Sequence, residues 1–121
     1  MVRYLRERAA KAGLANVVAV HGEATDPKLP ERAHVILRVD VLHHIEDRGA
    51  FFTTLAGQLA LGGRIVVVDF EPDAPEDGPG PPRKHRLAVD TVVHDAAAAG
   101  LRARSTVSDT LPYQYVLQLE R

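Results

Sequence analysis

The chain has 121 residues, no cysteine and a formal net charge of -1; it is 45% hydrophobic and 26% charged. That length suits one globular domain, and the lack of cysteine excludes a disulfide framework, thiolate metal sites, iron–sulfur clusters and a cysteine nucleophile. The balance of 15 basic to 16 acidic residues argues against a dedicated nucleic-acid binder, and no apolar run approaches the roughly 20 residues that span a bilayer.

Residues 1–12 read as an amphipathic helix, with Val2, Leu5, Ala9 and Ala12 on one face and Gly13 closing it. The stretch is Arg-rich and lacks the unbroken apolar core of a signal peptide, so a reducing, cytoplasmic setting is expected. Residues 17–20 are wholly apolar and predict a short buried strand. Residues 22–30 form a loop broken by Pro27 and Pro30. A second buried strand begins at Val35 and reaches Val39 or Asp40. Asp47 is a fitting N-cap for a helix running to about Leu61, with Phe51, Phe52, Leu55 and Leu59 as its buried stripe and Gly62-Gly63 as its end.

Residues 64–70 make the clearest strand, rich in β-branched side chains. Residues 71–82 hold five of the eight prolines and predict a long loop, with the basic run Arg83, Lys84, His85, Arg86 behind it. Basic side chains oppose the dipole at a helix start, so the next helix is placed from about Leu87 to Ala99; the loop with its basic end is a candidate substrate lid, and the basic run reads first as a solvated approach to the helix and second as an attraction for an anionic substrate. Two strands follow, residues 101–108 and 113–119. The short connection between them predicts an antiparallel pair. The order predicts a three-layer α/β domain, mostly parallel, with an antiparallel edge at the C-terminus.

Two segments, residues 39–47 (VDVLHHIED) and residues 59–69 (LALGGRIVVVD), resemble class I S-adenosylmethionine-dependent methyltransferases. In that family a strand ends in a similar D-x-L-H-H segment, and a helix closes on L-x-P-G-G before the next strand. Ala98-Ala99-Gly100-Leu101 and the terminal LPYQY resemble the family's later elements. The resemblance covers nearly the whole chain, but only the last two-thirds of the family's pattern. It implies an incomplete Rossmann-like sheet drawn from the order 3-2-1-4-5-7-6, with strands 1 and 2 absent and the first helix opening on Met1. The chain is thus expected to be an N-terminally truncated domain, or a half-domain completed by another chain. The Gly-rich turn and ribose-binding acid that hold the cofactor in such folds are not found.

The resemblance implies S-adenosylmethionine as cofactor and a small-molecule methyl acceptor, with weak or absent catalysis by this chain alone. It places cofactor contacts at Gly22, Glu23 and Ala24, whose acid would accept from the adenine amino group, and at Asp40, Val41 and Leu42. Ligands of open α/β sheets bind beyond the carboxyl ends of the strands. There His44, or second to it His43, is the candidate general base, since imidazole titrates near neutrality. Asp69 and Phe70 are the candidate substrate-side residues. A metal site is not expected: adjacent histidines in extended chain point apart, and the six histidines show no ligand spacing. Tyr113 and Tyr115 read as packing. The competing readings are a non-catalytic module that pairs with itself or with another chain, and a nucleotide-binding α/β domain. The latter needs the same absent glycine turn.

Overall fold

Residues 64–70 are apolar and β-branched enough to be buried on both edges, and they form the inner part of the sheet's longest strand. The structure, a computed structural model, describes residues 1–23 and 26–121. Helix α1 is Val2–Lys11, β1 Ala33–Val39, α2 Arg48–Gly57, β2 Leu59–Phe70, α3 Val89–Ala97, β3 Arg102–Val107 and β4 Gln114–Glu120. The sheet order is β1-β2-β4-β3. The β1–β2 pair is parallel, with Val39 opposite Val68. The β2–β4 and β3–β4 pairs are antiparallel. This is the incomplete sheet with an antiparallel C-terminal pair that the sequence predicts, carrying one parallel pairing rather than several.

Alternation along the strands decides the core. Ile36, Ile65, Val67, Leu117 and Leu119 point to one face and meet Phe51, Phe52 and Leu55 of α2 and Val92 and Ala96 of α3. Each fully buried large side chain contributes about 1.5–3 kcal/mol. The two helices are tied by Arg48 and Asp95, 2.6 Å apart. Asp47 caps α2 as expected, accepting from the Ala50 amide at 3.0 Å. Arg121 closes the other end, donating to the carbonyls of Ala56 and Leu59.

Three expectations need correction. Residues 17–20 form no strand, and Val17 and Val18 are exposed. A strand needs a neighbour for its amides and carbonyls, and this run pairs with no strand among the described residues. The run instead lies along α1, where Arg6 donates to the Ala19 carbonyl and Leu5, Ala9, Leu14 and Val17 line an apolar groove. Second, α2 stops at Gly57 and the chain enters β2 at Leu59. The Ala33 amide donates to the Gln58 carbonyl, and β1 then crowds Gly63 so closely that a Cβ there would lie 3.1 Å from the Ala33 and His34 oxygens. Gly63 thus permits strand contact, and Gly62, at φ 74°, makes the local bend, rather than the pair ending a helix.

Third, the domain has two layers among the described residues, not three. On the face away from α2 and α3, Val35, Leu37 and Val39 are 54%, 59% and 46% exposed. The outer edge of β1 is likewise unpaired. No helix of the described residues is long and apolar enough to cross a membrane.

This asymmetry predicts unequal mutational costs in urea unfolding. Leu117→Ala removes a fully buried side chain and should cost about 2–5 kcal/mol. Leu37→Ala should stay within about 0.5 kcal/mol. Comparable losses at both positions would show that the open face is covered in solution.

Candidate functional site

The carboxyl ends of β1 and β2 meet because the two strands are parallel and in register. The Asp40 amide continues the ladder, donating to the Val68 carbonyl at 2.9 Å. Asp40 then takes φ 56°, a left-handed conformation that Asp tolerates better than most residues. Its carboxylate accepts from the Gln114 amide at 2.5 Å, which fixes the bend. The chain turns into a single 3-10 turn, Leu42–His44. Leu42 is wholly buried and anchors that turn in the core.

The anchor delivers His43 to Asp69, the corresponding strand-end residue of β2. Nδ1 of His43 lies 3.3 Å from Oδ1 of Asp69. Asp69 is 0% exposed; Oδ1 also accepts from the Phe70 amide, and Oδ2 has no partner among the described residues. A carboxylate at Nδ1 favours the tautomer with the proton there, leaving Nε2 as the acceptor. His44 is beside it, with ring centroids 4.0 Å apart and tilted by 45°. The pair sits in a turn, not in extended chain, so the rings lie together instead of pointing apart. Even so, no cluster of three or more ligating side chains suited to a metal occurs among the described residues.

The loop after β2 roofs this place. His43, His44, Pro81, Pro82 and His85 line a cleft of about 370 Å³. The loop is held by Arg86, which is buried rather than solvated. Its Nε donates to the Pro81 carbonyl at 2.9 Å, Nη1 to Ala74 at 2.5 Å and Glu71 at 3.4 Å, and Nη2 to Pro75 at 3.3 Å. A planar fork of five donors suits a cluster of backbone carbonyls that prolines leave without local partners. The loop also lies on Phe70: at Gly80, with φ 108°, a Cβ would stand 2.7 Å from the ring. Phe70 is therefore covered and does not line the cleft.

Tyr115 packs beneath the site, as read from the sequence, and donates to the Leu87 carbonyl at 2.9 Å. Burial, with the nearby charges of Asp69 and Glu71, raises its pKa well above the ordinary phenol value.

The structure thus brings together Asp40, Val41, Leu42, His43, His44 and Asp69. Gly22 and Glu23 lie elsewhere. The Glu23 amide donates to the Asp26 carbonyl, and the Asp26 carboxylate accepts from the side chain of Gln58, the residue preceding β2. That is the opposite end of the parallel strands, about 20 Å from Asp40 by the length of β1. Glu23 is exposed there and 3.7 Å from Lys28. Ala24 lies outside the described residues. The sequence marks Pro81, Pro82, His85 and Arg86 as parts of a candidate lid, but not that Arg86 is buried and holds the loop. The signal for it is the basic run at residues 83–86 behind a proline-rich loop.

No family model matches the sequence, and no curated protein does. Solved structures match its fold. A SAM-dependent methyltransferase from Aquifex aeolicus is 21% identical with a TM-score of 0.83, over 98% of this chain and 62% of that one. An O-methyltransferase from neocarzinostatin biosynthesis, in complex with S-adenosyl-L-homocysteine and 1,4-dihydroxy-2-naphthoic acid, is 22% identical with a TM-score of 0.77, over 98% and 38%. A putative type 11 methyltransferase from Sulfolobus solfataricus is 20% identical with a TM-score of 0.71, over 97% and 64%. The chain has part of the methyltransferase fold. It spans less than two-thirds of the length of these proteins, and β1-β2-β4-β3 corresponds to 4-5-7-6 of the family order.

Arg86→Ala should release residues 71–82. Their amides are expected to exchange faster and the loop to become a protease site, while the exchange of β2 and β4 is unchanged. A loop equally protected in the variant would mean that the prolines alone hold it.

Proposed function

We propose that this fold serves S-adenosylmethionine-dependent methyl transfer to a hydroxyl group of a small molecule, with the His43–Asp69 pair as general base. The observation that supports the reading is the 3.3 Å contact between His43 Nδ1 and the wholly buried Asp69, with His43 lining a cleft. Asp69 orients the ring and stabilises the proton that Nε2 takes from the acceptor hydroxyl. Asp40, Val41 and Leu42 form one wall of a cofactor site at the strand ends. Val41 offers backbone and apolar surface there, Leu42 anchors the turn from the core, and the bend at Asp40 sets their direction.

The fit extends to that wall alone. Glu23 is held at the far end of the sheet, and no glycine-rich turn follows a strand. This chain by itself should therefore turn over slowly. When bound, S-adenosylmethionine supplies an electrophilic methyl group, whose bond to sulfur breaks as the acceptor oxygen bonds to carbon. The protein's part is to exclude water beneath residues 71–82, to aim the hydroxyl and to remove its proton. His44 shares the cleft and has no carboxylate partner among the described residues, so His43 is the base and His44 a neighbour that binds.

The unpaired β1 edge and the open sheet face favour one alternative, a non-catalytic module completed by another chain. Radiolabelled methyl transfer from S-adenosylmethionine to a panel of phenols separates the two. Slow turnover above background is expected, falling about 100-fold or to background in His43→Gln and Asp69→Asn. His44→Gln should retain turnover. No transfer to any hydroxyl acceptor, or full activity in His43→Gln, would overturn the reading.

A further inference from the structure

We propose that helix α1 of a second copy of this chain covers the open face of β1, and that two copies exchange this contact as a two-fold dimer. The inference does not rest on methyl transfer, because neither surface includes the cleft at His43.

The chain carries two apolar surfaces that it does not bury against each other. On the sheet, Val35, Leu37 and Val39 take every second position of β1 and so share the face away from α2 and α3. Leu37 stands beside Val66 and Val39 beside Val68, both half-buried, so the patch runs on into β2. Its charged neighbours have partners of their own. Arg64, beside Val35, donates to the Gln118 side chain at 3.2 Å, Glu120 lies 3.4 Å from Arg102, and Asp40 accepts from Gln114.

The second surface is the groove between α1 and residues 14–19. It holds about 390 Å³, with the buried Ala9 as its floor and Leu5, Ala12, Leu14 and Val17 as walls. Leu5, Leu14 and Val17 are 43%, 47% and 49% exposed. Helices α2 and α3 pack on strands, whereas α1 packs on no other helix or strand to that extent.

The two surfaces fit in kind and in size. An apolar sheet face takes a helix as its outer layer. The β1 row is about 13 Å long from Val35 to Val39, and the stripe from Leu5 to Ala12 is about 10 Å long. The chain exposes 7833 Å² of surface. A compact protein of its mass exposes about 6,400 Å², and the surplus exceeds the roughly 800 Å² that each partner gives to a standard interface. Charge agrees. Helix α1 carries Arg3, Arg6, Arg8 and Lys11 against Glu7, while the whole chain has a net charge of -1, so the remainder has an acidic excess. A basic helix is drawn to such a body.

Within one chain α1 does not cover this face. A second copy can bring its helix there, and the same rotation brings the first copy's helix to the second copy's sheet. The exchange buries both surfaces twice and closes on itself. Packing β1 face on β1 face would leave both α1 grooves open.

Sedimentation of the 121-residue chain is the test. At about 0.1 mM a dimer is expected, as for a micromolar contact. Leu5→Lys and Leu37→Glu alter exposed side chains, and each should give a monomer that circular dichroism shows to be folded. Leu14→Lys and Val35→Glu replace either variant if it does not fold. Mixed in equal amounts, the two variants should dimerise again, since a mixed pair keeps one unaltered contact and sets opposite charges together in the other. An unaltered chain that stays monomeric at that concentration would overturn the proposal. So would a dimer that survives Leu5→Lys, which would mean that sheet faces meet each other, or a mixture that stays monomeric. The small cost expected for Leu37→Ala applies at dilutions where the chain is single.

Discussion

The parallel pairing of β1 with β2 is the constraint from which the site follows. With Val39 opposite Val68, the two strands end together, and the residues beyond them, Asp40 and Asp69, face the same space. A register slip of one residue would turn Ile36 and Val67 out of the core and carry His43 away from its carboxylate. The apolar alternation that buries Ile36, Ile65 and Val67 therefore also secures the His43–Asp69 contact. Leu42 extends the logic by one turn. It buries itself in the core, and the histidine that follows it is held in place as a consequence.

The same packing explains what the domain leaves undone. The hydrophobic core cluster lies between the sheet and the helix pair α2–α3, and the other face of β1 stays apolar and open. Helix α1 does not close it, because α1 and residues 14–19 pack on each other. The solved methyltransferases that share this fold are longer, and the chain matches only part of each.

Much of this was legible in the sequence. Short β-branched runs marked β2, Asp47 marked the start of α2, and the Asp109–Pro112 connection marked an antiparallel pair. The order of the D-x-L-H-H and glycine-pair segments pointed to the fold. What could not be read depends on partners distant in sequence. Residues 17–20 have the composition of a strand, but composition does not supply the neighbour that makes one. Gly62-Gly63 looks like a helix end, yet Gly63 serves close approach to β1 and Gly62 a positive-φ bend. Choosing between His43 and His44 needed the carboxylate, and Asp69 is 26 residues away from His43. Arg86 looked solvated because its partners are backbone carbonyls, which leave no trace in a side-chain pattern.

The central claim is that the ends of β1 and β2 are the ligand-binding end of this domain. A backbone amide NMR titration with S-adenosyl-L-homocysteine tests it most directly. Shifts are expected at residues 40–44 and 69–70, with Gly22 and Glu23 unmoved. Shifts confined to residues 14–23, or none in the folded chain at millimolar ligand, would contradict the account.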